Sequence, residues 1–220
     1  MLYYSMKLIR KLKDLKAIPF THSVLLSYLN DYKNPNDKIK QMIKHEELIR
    51  VKQSLYVLGD IYHDSSVSRE LLANLIYGPS YLSLDYALSF YGLIPERVYE
   101  VTSVTTKLAK NYDTPFGRFN YIKSPVNLYS VGIDIKENED GTSYMIATPE
   151  KALCDKVLFT KNLGITSIRA MVEYLRDDLR IDLDELKKFD LDTIKQCAGK
   201  GYKCKLMEYL YKAIKKVQES

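Results

Sequence analysis

The sequence predicts an α+β chain with a small helical head, residues 1–59, and a larger mixed body, residues 60–220. Three observations carry this reading. Apolar residues recur at helical spacing from Leu8 to Ile43, and after Leu48 the period changes to the alternation of strands. Four further alternating stretches lie between positions 99 and 147, framed by helical patterns on both sides. The charge divides the same way: residues 1–59 hold 11 Lys and Arg against 5 Asp and Glu, whereas the remaining residues hold 22 against 23. At 220 residues there is room for two modest cores.

Composition excludes several classes. No apolar run approaches the ~20 residues of a membrane span, so a soluble protein with no membrane partner is expected. Met1 to Ser5 leads into a charged helix, not an apolar signal region, and a cytoplasmic location is expected. Cys154, Cys197 and Cys204 are odd in number and lack metal-ligand spacing, which suits reduced thiols. His22, His45 and His63 share no such spacing either, so neither metal nor cofactor is expected. Neither a Gly-x-Ser-x-Gly elbow nor a phosphate-cradling glycine loop occurs, and no catalytic residue is assigned.

In the head, a first helix is expected from Lys7 to Lys16, with Leu8, Ile9, Leu12 and Leu15 inward, stopped by Pro19. Thr21 is placed to cap a second helix carrying Val24, Leu25, Tyr28 and Leu29 inward. The third has Asn34 as cap, Pro35 at its first position and Asp37 in its first turn. Ile39, Met42 and Ile43 form its apolar stripe; 100° per residue then puts Gln41 and Lys44 on the far side, flanked by Lys38, Lys40 and His45. A hairpin follows, with Ile49 and Val51 to one side, Arg50 and Lys52 to the other, and a turn at Gln53-Ser54. Three helices and a hairpin, with the third helix cationic, make a winged helix-turn-helix. Gln41 would read an adenine edge and Lys44 a guanine edge, while Lys38, Lys40, Arg50 and Lys52 would pair with phosphates. The same lysines also suit a merely solvated helix face, and winged helices also dock proteins.

In the body, Ser68 can cap a helix carrying Leu71, Leu72, Leu75 and Ile76 that ends at Gly78-Pro79. Ser83 caps a short helix, Leu84 to Tyr91, closed by Gly92. Strands are expected at Tyr99–Thr105, Phe116–Ile122, Leu128–Ile135 and Ser143–Ala147, with an Asp140-Gly141 turn, giving a small, largely antiparallel sheet with flanking helices. Pro149 opens a helix with Ala152, Leu153, Val157 and Leu158 inward, and a helical C-terminal cap begins near residue 161. Among the charged residues here, Glu96, Lys107, Glu150, Lys151 and Asp155 are candidates for contact with a partner, because charges between apolar neighbours are either paired or face one. For Glu150 the helix dipole alone is a sufficient explanation.

Four blocks of the body resemble the AbiEi family of abortive-infection antitoxins and transcriptional regulators, from bacterial type IV toxin–antitoxin systems. They are Tyr81-Leu82-Ser83-Leu84-Asp85-Tyr86-Ala87-Leu88-Ser89-Phe90-Tyr91-Gly92-Leu93-Ile94-Pro95-Glu96, Val104-Thr105-Thr106-Lys107, Thr114-Pro115-Phe116-Gly117, and Ile146-Ala147-Thr148-Pro149-Glu150-Lys151-Ala152-Leu153-Cys154-Asp155. A winged-helix head before them matches the family's layout, and past Thr160 the match weakens. The resemblance implies repression of its own operon through the head; a homodimer on operator DNA with inverted repeats suits a small winged-helix repressor. The resemblance also implies that the body counters a co-encoded nucleotidyltransferase-like toxin, without needing a stable complex. It carries no catalytic residues.

Two other readings remain open. One is a winged-helix repressor whose body senses a small molecule or dimerises, without a toxin. The other is a metal-dependent nuclease, from Asp113 upstream of Asp134-Ile135-Lys136, where two carboxylates would hold Mg²⁺ and the lysine would help activate water. A solvent-facing strand end accounts for those three residues equally well.

Overall fold

The fold is α+β and contains two sheets, a three-stranded antiparallel one near the N-terminus and a six-stranded mixed one in the body. It is described from a computed structural model, covering residues 8, 11, 12, 15–63 and 66–220. Of the expected first helix, Leu8, Lys11 and Leu12 are helical; Lys7, Ile9, Arg10 and Lys13 lie outside the described residues.

In the head, β1 (Phe20–Thr21) runs into α1 (His22–Tyr28), which Thr21 caps by accepting from the Val24 N–H. Leu25 and Leu29 point inward as expected; Val24 does not, and is 38% exposed. Next comes α2 (Pro35–Lys44), with Pro35 in the first turn; its Asn34 cap works through the backbone carbonyl, not the side chain. Then β2 (Leu48–Lys52) and β3 (Leu55–Leu58) form the hairpin, and Ser54 takes the left-handed conformation in its turn. The sequence reading lacked β1, which pairs with β3 at Phe20–Tyr56 and Thr21–Leu55. The head has its own core, of Leu8, Leu12, Phe20, Leu25, Leu29, Ile39, Met42, Leu48, Tyr56 and Leu58.

The body's first helix, α3 (Arg69–Ile76), is capped by Ser68, whose hydroxyl accepts from the Leu71 N–H at 3.1 Å. Leu72, Ala73 and Ile76 are buried, whereas Leu75, expected inward, is 43% exposed. After it come β4 (Ser80–Leu82), α4 (Leu84–Phe90), β5 (Val101–Thr105), β6 (Lys110–Thr114), β7 (Gly117–Lys123), the helical turn α5 (Val126–Tyr129), β8 (Ile133–Glu137) and β9 (Ser143–Ala147). The sheet order is β6-β7-β5-β4-β9-β8. It is not largely antiparallel, since β4 with β9 and β5 with β7 are parallel pairs. After β5 the chain passes over the adjacent position, lays β6 at the edge, and returns as β7 in the gap, a choice that alternation along one strand cannot encode. The expected strand at Leu128 begins only at Ile133, because Pro125 starts a helical turn and Gly132 turns the chain at φ +61°.

One face of the sheet packs on α3, where the Tyr121 hydroxyl donates to the Ala73 carbonyl at 2.6 Å. The other packs on α4 and on α6 (Pro149–Phe159), capped by Thr148. Behind α6 lie α7 (Ile168–Glu173), a π-helical turn (Tyr174–Asp178), α8 (Leu183–Leu186), α9 (Leu191–Ala198) and α10 (Cys204–Gln218). This C-terminal region belongs to the body's main core through Ile194, Cys197, Met207, Leu210, Ala213 and Ile214. No helix among the described residues is long and apolar enough to cross a membrane.

Val51, Leu55 and Val57 of the hairpin also sit in the body's core, with Leu72 and Ile76. Burying such a side chain contributes roughly 1.5–3 kcal/mol, so the hairpin ties the head firmly to α3.

Two glycines with positive φ separate backbone strain from crowding. Around Gly92, φ +69°, a Cβ would meet nothing within 4 Å; at Gly132 it would lie 2.7 Å from the Lys151 Cβ. Gly92→Ala is expected to cost about 1 kcal/mol, the left-handed penalty alone. Gly132→Ala should cost about 3 kcal/mol, because a Cβ on α6 cannot swing aside. Urea unfolding of the two variants measures the difference.

Candidate nucleic-acid interface

Among the described residues, α2 carries the expected cationic face only in part. Ile39 and Met42 are buried beneath it and Ile43 packs beside them, which leaves Lys40, Gln41, Lys44 and His45 exposed. Lys40 pairs with Asp37 at 3.1 Å, but both side chains are well exposed. Such a pair is worth about 0–1 kcal/mol, and the ammonium can exchange it for another anion. Arg50 on β2 is exposed as well. Lys38 is drawn away: its side chain is 16% exposed and faces Glu47 at 4.0 Å.

Lys52 departs furthest from its expected place among the phosphate-binding residues. Its ammonium donates to the Ile76 carbonyl at the end of α3, which the hairpin covers. Lys107 donates to the Gly78 carbonyl, two residues past the helix end, and lies 5.2 Å from the centre of the Tyr77 ring, with Lys110 at 6.0 Å from the same ring. The negative dipole end of α3, the Gly78 carbonyl beyond it and the Tyr77 ring face together account for this gathering of lysines. Burial, and then the charges of Lys107 and Lys110, push the Lys52 ammonium below its usual pKa.

The charged body candidates are all engaged within the chain. Glu96 forms an ion pair with Arg180. Glu150, in the first turn of α6, accepts from the Asp190 N–H at 3.1 Å, ahead of α9. Lys151 and Asp155 are fully buried one turn apart on α6, with Nζ 2.8 Å from Oδ1. The other carboxylate oxygen accepts from the Tyr81 hydroxyl at 2.9 Å and the Ser83 hydroxyl at 2.8 Å, while the Lys151 ammonium also donates to the Leu128 carbonyl at 3.0 Å. Ser83 is therefore not the side-chain cap expected for α4; its hydroxyl serves Asp155 instead.

Burial pushes the Asp155 carboxyl above its ordinary range, opposed first by the Lys151 charge and then by hydrogen bonds from Lys151, Ser83 and Tyr81. The Tyr81 phenol is driven far up by burial and next by Asp155, so it stays a donor. This cluster joins β4, α4, α5 and α6 with no route to solvent. It is a structural lock and offers no contact to a partner. Tyr81 and Ser83 were absent from the expected site; their signal was a Tyr-x-Ser beside an i,i+4 Lys–Asp pair that brackets Ala152, Leu153 and Cys154 on α6.

Asp113 and Asp134 lie on β6 and β8, the two opposite edges of the sheet. Five strand spacings separate them, about 24 Å, so they cannot share a metal ion. Asp113 pairs with Arg118 at 2.9 Å and Asp134 with Lys136 at 2.6 Å. Among the described residues no group of three or more His, Cys, Asp or Glu is placed to hold a metal.

No protein-family model matches the chain, and a search of curated proteins finds no significant match.

Asp155→Ala is expected to lose about 3–5 kcal/mol of stability, because it leaves a buried ammonium alone. Replacing the pair together, Lys151→Met with Asp155→Leu, should recover only part of that loss, because the Tyr81 and Ser83 hydroxyls and the Leu128 carbonyl then lose their partners. Urea denaturation of the single and double variants checks both values.

Proposed function

We propose that the N-terminal unit is a winged helix that binds DNA through the exposed face of α2, and that the protein is an antitoxin and autorepressor of the AbiEi kind. The observation that carries the DNA-binding half is the cluster of Lys40, Gln41 and Lys44 exposed above the buried Ile39 and Met42, with Arg50 exposed on the adjoining hairpin. In this reading Gln41 and Lys44 address base edges in the major groove, and Lys40 and Arg50 neutralise phosphates. Lys38 and Lys52, engaged within the chain, make minor contributions.

The antitoxin half is supported by the four sequence blocks of the body. In this reading, the residues of the last block hold α6 on the sheet, as the burial of Lys151 and Asp155 suggests. Contact with a toxin or its substrate then falls to surfaces outside that block's interior. The protein represses its operon through α2 and counters a nucleotidyltransferase-like toxin encoded beside it.

Titration of the full chain onto duplex DNA from its own promoter, across a salt series, tests the first half. Lys40→Ala with Arg50→Ala should flatten the salt dependence by about one unit of log–log slope per phosphate contact removed. Gln41→Ala should leave the slope unchanged and relax preference at one base pair by about 1–3 kcal/mol. Undiminished, equally salt-dependent binding by the double variant would refute the assigned face.

For the second half, the full-length protein carrying Lys40→Ala, Lys44→Ala and Arg50→Ala is expected to restore growth to bacteria expressing the adjacent nucleotidyltransferase as well as wild type does. A wild-type protein that gives no rescue from an active toxin would remove the antitoxin reading and leave a DNA-binding regulator.

A further inference from the structure

The strand β8 ends the six-stranded sheet, and its outer edge pairs with no other strand among the described residues. Its backbone polarity follows from its ends. Gly132 accepts from the Thr148 N–H at 2.8 Å and Asn138 donates to the Thr142 carbonyl at 2.7 Å, both toward β9. With a period of two, Asp134 and Lys136 also bond toward β9, and Ile133, Ile135 and Glu137 turn their N–H and C=O groups to the open edge. The Ile135 side chain is 67% exposed there. Its N–H is met only by the neighbouring Asp134 carboxylate, at 2.8 Å, and that carboxylate also holds Lys136.

We infer that β8 is the interface for a second copy of this chain, which adds antiparallel across a two-fold axis at Ile135. In that register Ile135 faces Ile135 of the second copy, and the outward backbone groups of residues 133, 135 and 137 exchange about six N–H···O=C bonds. Asp134 of each copy stands opposite Lys136 of the other. These are non-hydrogen-bonded pairs, the positions where cross-strand side chains approach most closely. The contact is isologous, and the two sheets become one.

The charges select this register over its neighbours. A two-fold axis at Asp134 would oppose two carboxylates, and one at Lys136 two ammoniums. The opposite edge of the sheet has no such self-match: an axis at the middle of β6, Tyr112, sets Asn111 against Asp113 and Lys110 against Thr114. In the single chain Asp134 satisfies its own strand's Lys136 and Ile135 N–H. Pairing hands the first bond to the second copy's lysine and frees the second for the backbone ladder. It also removes the exposed Ile135 side chain from water, and closes an edge otherwise open to indiscriminate pairing.

The test is the oligomeric state of the full chain by sedimentation equilibrium, from low to high micromolar concentration. The wild type is expected to dimerise. Lys136→Asp, which sets carboxylates against each other at both symmetry-related positions, should weaken the dimer about tenfold or more. The exchanged variant, Asp134→Lys with Lys136→Asp, restores opposite charges in the same register and should restore the dimer. Both substituted forms alter exposed side chains and leave the β9 ladder in place. A monomeric wild type, an equally tight Lys136→Asp dimer, or an exchanged variant that stays dissociated would each overturn the proposal.

Discussion

The ion pair between Lys151 and Asp155 sets the terms for the body, because a charge withdrawn from water must be met on every side. Meeting it draws in the Tyr81 hydroxyl from β4, the Ser83 hydroxyl from the start of α4 and the Leu128 carbonyl from α5. Those groups fix where α6 crosses the sheet and how deeply it sits. A purely apolar helix could slide or rotate on the same surface with little change in buried area. Here a shift of one residue would separate an ammonium from its carboxylate, and that penalty turns a generic helix-on-sheet contact into one arrangement.

At the other face of the sheet, the end of α3 plays a comparable organising part by electrostatics of the opposite sense. Its last carbonyl, of Ile76, holds Lys52 from the hairpin, and the Gly78 carbonyl just past the helix end holds Lys107 from the segment between β5 and β6. The hairpin's apolar face, through Val51, Leu55 and Val57, closes over the same helix. Head and body therefore meet on a surface with both an apolar core and a charged rivet, Lys52, and the cationic face of α2 is held in a set orientation.

What could be read from the sequence was what local chemistry specifies. The cap at Thr21, the proline starts at Pro35 and Pro149, the cap at Ser68, the left-handed Gly92 and the Asp140-Gly141 turn each follow from a few neighbouring residues, and the structure contains them. The strands β1, β4 and β6 and the parallel pairings could not be read that way. A strand of two or three residues, as β1 and β4 are, shows no period; the edge strand β6 has Tyr112 as its one apolar residue and so shows none either; and pairing partners are chosen by tertiary packing. Lys52 illustrates the limit for the site: its place in an alternating hairpin put it outward, but the helix end opposite it was invisible from the chain alone. Lys151 and Asp155 were visible as an anomaly, charges in an apolar block, and only their surroundings decided that they serve the interior.

The shared hairpin has an evolutionary consequence. Small N-terminal heads can behave as cassettes, exchanged between proteins by recombination at a flexible linker. Here such an exchange would bring in a hairpin whose body-facing side chains had never fitted against Leu72 and Ile76, and would strip the end of α3 of its lysine. Heads and bodies of this design are therefore expected to descend together, with substitutions accumulating on the exposed face of α2 while the opposite side of the hairpin stays constrained.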